Sequence, residues 1–333
     1  MRISVSMLTS SAPAKLILAG EHAVIYGSPA ITTRLNWQTY CDLSLSTSNR
    51  LGLTNATEVG WTETTLDAHW QALKARHRAW QTDRSTVLLQ ALADLPLAVF
   101  AWWQQHYVLP TLNCQIRSDI PIGQGLGSSA SLIIALLRGL SALTETTLSH
   151  EDYQSAGTEL ENLAHGKSSG LDVAAIITSD RSRWHHSKAT ALANFPLMGY
   201  IVDTGKAQHN TSDCVGYVRE HHQDNQSLWL DFSQKTAQLE DALTRQNTKE
   251  IGNLVSLIHR NLCQIGVVPQ RVQSFAQQAQ EQYGWSGKLC GAGSLAGNGG
   301  GFFWLLADRE PKALCQQFGY TYWLLSELSE ENL

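Results

Sequence analysis

PIGQGLGSSAS, residues 121–131, runs directly into the apolar LIIALL of residues 132–137. Glycines at 123, 125 and 127 allow a tight turn and a close backbone approach to a ligand, where a Cβ would clash or forbid the dihedrals. Ser128 and Ser129 fall where the helix implied by LIIALL should begin. The first turn of that helix offers unpaired N–H groups and the positive end of its dipole, so an anion such as a nucleotide phosphate is held there without a lysine. A serine hydroxyl at the same place suits Mg²⁺, a hard cation that prefers oxygen and bridges phosphates. No Gly-Lys-Ser/Thr follows, and the third glycine spacing of GxGxxG is missing, so neither common nucleotide fingerprint applies. Read alone, a GxGxG is more often a Gly-rich connector with a serine N-cap. The apolar residues behind it, Leu132, Ile133, Ile134, Leu136 and Leu137, argue instead for a loop anchored rigidly in a core.

Two further segments frame this one. KLILA, residues 15–19, reads as a short buried strand entering the turn Gly20-Glu21-His22. KLCGAGSLAGNGGG, residues 288–301, precedes the apolar residues 302–306. Helical spacing of apolar residues predicts helices over 68–81, 95–105, 228–245 and 249–263. Ser149 with Asp152 three residues on matches a capping box opening a helix to His165, with Gly166 as its stop. Residues 197–202 read as a strand, and the chain ends in a strand, helix and strand. Strands and helices mix without regular βαβ alternation, which predicts an α+β fold.

With 333 residues and 43% hydrophobic content, the chain is long enough for two domains. The polar, basic stretch at 184–194 suggests their boundary, giving domains at 1–183 and 184–333. A net charge of −5, with 24 basic residues and no basic block, argues against nucleic acid or an acidic membrane as the main partner. Residues 1–15 are rich in Ser and Thr and lack the apolar stretch of a secretory signal, so they are expected to belong to the mature chain. The longest apolar runs fall short of the ~18 residues of a membrane span, which fits a cytoplasmic enzyme. Six cysteines without a C-x-x-C pair favour free thiols. The pairs His185-His186 and His221-His222 lack supporting ligands at metal spacing and read as solvent-facing.

Together the three Gly-bearing segments resemble, in order and spacing, the three motifs of the GHMP kinases. The resemblance covers most of the chain. The middle segment looks like that family's ATP-binding loop, and APAK at 12–15 followed by GEHAVIYG at 20–27 is similar to the mevalonate kinases in particular. The resemblance implies an N-terminal domain like domain 2 of ribosomal protein S5 and a ferredoxin-like C-terminal domain. It implies ATP and a small alcohol, mevalonate before any other, as partners, with Mg²⁺ as the only metal. Oligomeric state, a homodimer included, is left open.

By that similarity Gly123, Gly125, Leu126, Gly127, Ser128, Ser129 and Ala130 would hold the nucleotide. In ENLAHGKSSGLD, residues 161–172, Glu161 would hold Mg²⁺ with Ser129, and Asp172 would sit against the substrate hydroxyl, paired with Lys15. A nearby cation stabilises both an ionised carboxylate and a developing alkoxide. A capping box from Ser169 to Asp172 is the competing reading. Glu21 and His22 would shape the substrate pocket. Thr211 lines up with a family threonine near the substrate, against an ordinary turn residue. Two departures stand out. Cys290 replaces the common Thr or Ser, and SLAGN at 294–298 lengthens the third loop, so a flexible Gly loop without a ligand role competes there. Lys167-Ser168 replaces a small-polar and Pro pair and adds a cation before Asp172.

Overall fold

A computed structural model describes residues 7–54 and 58–329. The first six residues of the expected mature N-terminus, and 330–333 of the expected second domain, lie outside the described residues. The chain forms two compact units. One comprises the residues up to Ala14, Trp37–Ile120 and Gly127–Ile177; the other comprises Lys15–Asn36, Pro121–Leu126 and residues from Thr178 on.

In the first unit, strand β1 (Leu8–Ala19) begins well before the expected KLILA. Its Ser/Thr-rich half is strand because its hydroxyls find partners. Thr9 Oγ1 donates to Asp42 Oδ1 at 2.6 Å and Ser10 Oγ to the Ala135 carbonyl at 2.7 Å. Strand β2 (Ala30–Leu45) pairs antiparallel with β5 (Leu112–Ser118), which runs parallel to β3 (Asn49–Leu53); β3 in turn pairs with β4 (Val59–Trp61). Helix α1 (Glu63–Thr82) opens on a capping box from Thr62 to Thr65. Helix α2 (Asp94–His106) buries nine residues in its first ten, as expected of a helix apolar on all sides. LIIALL lies in α3 (Ser128–Leu143), whose Ile133, Ile134, Leu136 and Leu137 are all buried. Helix α4 (His150–His165) has the predicted Ser149–Asp152 capping box and stops at Gly166. A short helix α5 (Leu171–Ile177) follows. Trp61 and Phe100 stack at 4.8 Å within this core.

In the second unit, the polar stretch near 184 is a hairpin of β6 (Arg181–His185) and β7 (Lys188–Ala191). His186 and Ser187 at its tip have φ of 50° and 57°, the left-handed pair a tight hairpin turn requires. Residues 30–33 of β2 pair with β6. Strand β8 (Tyr200–Asp203) starts later than residue 197, because Gly199, at φ 82°, breaks the extended run. Helices α6 (Thr211–His222), α7 (Gln226–Thr244), α8 (Thr248–Gln264) and α9 (Gln270–Tyr283) lead to β9 (Ser286–Leu289). The predicted terminal pattern is β10 (Phe302–Leu306), α10 (Lys312–Phe318) and β11 (Thr321–Leu324). These strands form an antiparallel sheet in the order β11-β8-β10-β9. No described helix is long and apolar enough to cross a membrane.

Helices α4 and α5, which carry Glu161 and Asp172, meet at Gly157, where an added Cβ would stand 2.7 Å from Val173 Cγ1. Gly157→Ala should therefore force α5 away from α4 and cost about 1–3 kcal/mol, read as a lower urea midpoint. A midpoint equal to the parent's would show that the two helices are not closely seated there.

Candidate functional site

In the first unit the predicted loop enters α3 through Gly127, whose φ of 72° few residues but glycine adopt easily. Among the described residues no side chain caps the helix start, so its leading N–H groups remain available to an anion. In the first turn, Ser129 Oγ donates to Glu161 Oε1 at 2.5 Å. The Glu161 carboxylate is buried, 3% exposed. Two oxygen donors this close suit a hard divalent cation, which takes one or two protein oxygens and completes its shell from phosphates and water. The Mg²⁺ assignment thus fits the residues present.

His165, not singled out in the sequence, lies beside this pair. Its Nε2 is 2.9 Å from Ser129 Oγ and 3.8 Å from Glu161 Oε1. The four-residue spacing from Glu161 was the available signal, since i and i+4 share a helix face.

The loop from Gly166 to Asp172 is held along its length. His77 Nε2 donates to the Gly166 carbonyl at 2.7 Å, and the Trp80 ring lies where any side chain at 166 would have to go. Asn162 Oδ1 accepts from Ser168 N at 2.6 Å, and Gln154 Nε2 donates to the Gly170 carbonyl at 3.0 Å. Ser169 Oγ accepts from Leu171 N at 3.3 Å. Asp172 then stands half-buried in the first turn of α5, and Lys167 is exposed.

In the second unit Lys15 is 2% exposed. Its ammonium donates to the Gly125 carbonyl at 3.1 Å and its backbone N–H to the Leu126 carbonyl at 3.0 Å, so β1 clamps the start of the loop. Gly125, at φ 87°, lies so near the third Gly segment that a Cβ would be 3.3 Å from the Cys290 carbonyl. Leu126 is buried and Gly123 exposed.

Glu21 and His22 are buried. Glu21 Oε1 accepts from the Lys288 ammonium, itself fully buried. Burial alone would favour neutral Lys288, but Cys290 and the Glu21 carboxylate together outweigh it and hold the lysine's pKa above its ordinary value. Among the described residues Glu21 Oε2 has no hydrogen-bond partner. His22 Nε2 lies 2.9 Å from the Ala292 carbonyl, which only accepts, so Nε2 carries the proton. Burial lowers the imidazole to about 4, keeping it neutral, so the buried, unpartnered Nδ1 is an acceptor. It can take a hydroxyl or a water, not a carboxylate.

The lengthened third loop is pinned rather than loose. Ser294 is fully buried. Its Oγ accepts from Gln208 N and His209 N at 3.2 and 3.3 Å and donates to the Ala296 carbonyl at 2.8 Å. Thr204 Oγ1 donates to the Gly301 carbonyl at 2.6 Å. Cys290 is buried, and burial pushes its thiol up to about 11, an inert replacement for a hydroxyl. Thr211 is exposed at the start of α6, after its N-cap Asn210. His186 and His221 are exposed, while His185 Nε2 meets the Gly27 carbonyl at 3.1 Å.

Residues 94–180 match the family model described as GHMP kinases N terminal domain. The chain is 26% identical to a mevalonate kinase of Pyrococcus abyssi over 98% of this chain and 97% of that one. It is 27% identical to the Bos taurus mevalonate kinase over 92% and 88%. The solved mevalonate kinase of Methanococcus jannaschii superposes with a TM-score of 0.75 at 20% identity, covering 97% of this chain and 98% of that one, which shows the shared fold.

Two buried histidines give the second unit a pH signature. His22 and His259 are both lowered to about 4, the latter by burial first and by Lys288 second. A depressed histidine means the folded protein binds fewer protons than the unfolded chain between about pH 6.5 and 4. Stability present above that window is therefore lost as pH falls through it, by up to about 3 kcal/mol per histidine. In urea unfolding between pH 7 and 4.5, His259→Gln should make the decline shallower by up to one proton. An unchanged slope would mean that His259 does not stay neutral.

Proposed function

We infer that this chain, a GHMP kinase most like the mevalonate kinases, transfers the terminal phosphoryl group of ATP to the primary alcohol of mevalonate. The observation that carries the reading is the Ser129–Glu161 contact in the first turn of the helix that follows a glycine loop. Such a helix start holds phosphate, and the oxygen pair beside it suits the cation that accompanies phosphate. We assign the nucleotide to Gly123, Gly125, Leu126, Gly127, Ser128, Ser129 and Ala130, and Mg²⁺ to Ser129 and Glu161. When bound, Mg²⁺ neutralises charge on the phosphate oxygens.

The remaining chemistry falls to the chain's own side chains. Asp172 accepts a hydrogen bond from the acceptor hydroxyl and aims its oxygen at the phosphorus. A loose transition state asks little of a base, so this orientation matters more than early proton removal. Lys15 is assigned to steady the alkoxide as it forms. The clamp on residues 166–170 by His77, Asn162 and Gln154 fixes the approach to Asp172. Glu21, His22 and Thr211 are assigned to the substrate side. The neutral His22 is suited to a hydroxyl rather than to the carboxylate. We place the enzyme in the cytoplasm.

ADP release measured with mevalonate, phosphomevalonate and hexoses tests the substrate. Turnover of phosphomevalonate or a hexose with none of mevalonate would overturn it. Asp172→Asn should lower kcat by about 10²–10⁴-fold while nucleotide affinity stays within a few-fold; an equal loss of ATP binding contradicts its place at the hydroxyl. Glu161→Gln should raise the Mg²⁺ concentration needed for half-maximal turnover by about tenfold or more. A metal dependence like the parent's would remove Glu161 from the cation.

A further inference from the structure

A cation stands over the phosphate loop that the sequence did not reveal. Lys206 lies just beyond β8, and its Cε is 3.7 Å from where a Cβ on Gly123 would be. Among the described residues, no other atom beyond Gly123's own chain neighbours comes that near. Gly123 is exposed and has φ 74°, so its face is open to a bulky ligand. The Lys206 side chain is also exposed, and among the described residues no hydrogen bond or ion pair holds its ammonium. The carboxylate nearest in sequence, Asp203, is otherwise engaged. It accepts from Gly205 N at 2.7 Å and, with the Gln124 amide turned to donate, from that side chain at 2.8 and 3.2 Å.

The backbone on both sides of Lys206 is fixed. Thr204 N donates to the Gly301 carbonyl at 3.0 Å, Gly301 N to the Gly205 carbonyl at 2.9 Å, and Ala207 bridges to Gly299. The lengthened third loop thus acts as a mount for the lysine. A long cationic side chain on a rigid base, unpaired and laid along a bare glycine, is poised for an anion that arrives with the ligand. Its strongest partner is a phosphate, because charge-assisted hydrogen bonds to ionised oxygens are about twice as strong as neutral ones.

We propose that Lys206 grips the phosphate chain of the nucleotide over Gly123, as a further binding residue of the transfer reaction. The proposal rests on the ATP-dependent reading above and adds to it a cation that the glycine cradle alone does not supply. Lys206→Met keeps the stem and removes the charge. Lys188→Met, an exposed lysine of β7, is the control for net charge. Binding of ATP, ADP and adenosine to the full chain is measured by calorimetry, alongside KM for ATP and kcat.

Lys206→Met should weaken ATP and ADP by about 10- to 100-fold and leave adenosine unchanged, with Lys206→Arg recovering most of the loss. Lys188→Met should match the parent. Parent-like ATP and ADP affinity in Lys206→Met, with the parent binding both, overturns the role of Lys206 and leaves the kinase reading standing. An equal loss for adenosine also overturns it, since a phosphate contact cannot act on a nucleoside. If the parent itself binds neither nucleotide, the kinase reading falls and takes this proposal with it.

Discussion

The bond from the Lys15 ammonium to the Gly125 carbonyl ties the first motif to the second, and the loop's conformation follows from it. Gly125 can be held there only because it has no side chain, being at φ 87° and close against the Cys290 carbonyl. Any other residue would be strained by its dihedrals and crowded by the third glycine segment. Three sequence motifs far apart in the chain therefore share a single steric condition. The buried lysine satisfies the loop carbonyl, and the loop glycines let the chain close over it.

What the sequence disclosed and what it hid divide by range. The capping box at Ser149–Asp152, the stop at Gly166 and the apolar face of α3 were legible because each is decided within a few residues. Ser129 with Glu161 was legible only through the resemblance, since nothing in 32 residues of separation announces a hydrogen bond. The burial of Glu21 was invisible for the same reason. Its partner Lys288 lies 267 positions away, so a polar Glu-His turn read on its own looks like surface. Strand β1 was underestimated because Thr9 and Ser10 break an apolar pattern, while their hydroxyls are satisfied by Asp42 and Ala135. Periodicity cannot see a partner that lies elsewhere in the chain.

The Glu21–Lys288 pair also explains how the third motif tolerates its departure from the family pattern. A buried ion pair contributes little net stability, because desolvation offsets most of the attraction, but removing one partner strands the other. Its worth here is positional. It fixes Lys288 near the end of β9, two residues before Cys290, which stands in place of a hydroxyl. With its thiol pushed up to about 11, Cys290 is a small neutral filler whose sulfur meets the Lys288 ammonium at 3.7 Å, and the loop backbone stays where Gly125 requires it. The position calls for size and neutrality, which a thiol provides.

The same reasoning applies to the insertion at 294–298. Extra residues in a glycine-rich loop cost little if they are anchored, since loop-closure entropy grows only slowly with length. Here the anchor is Ser294, whose buried hydroxyl satisfies two backbone N–H groups of the 206–210 segment and reaches forward to Ala296. The insertion thereby converts a loop that could wander into one side of a paired structure, with Thr204, Gly205 and Ala207 as the other side. The longer third loop is thus held in place rather than loose. It is a brace, and the segment it braces is the one that carries Lys206 toward Gly123.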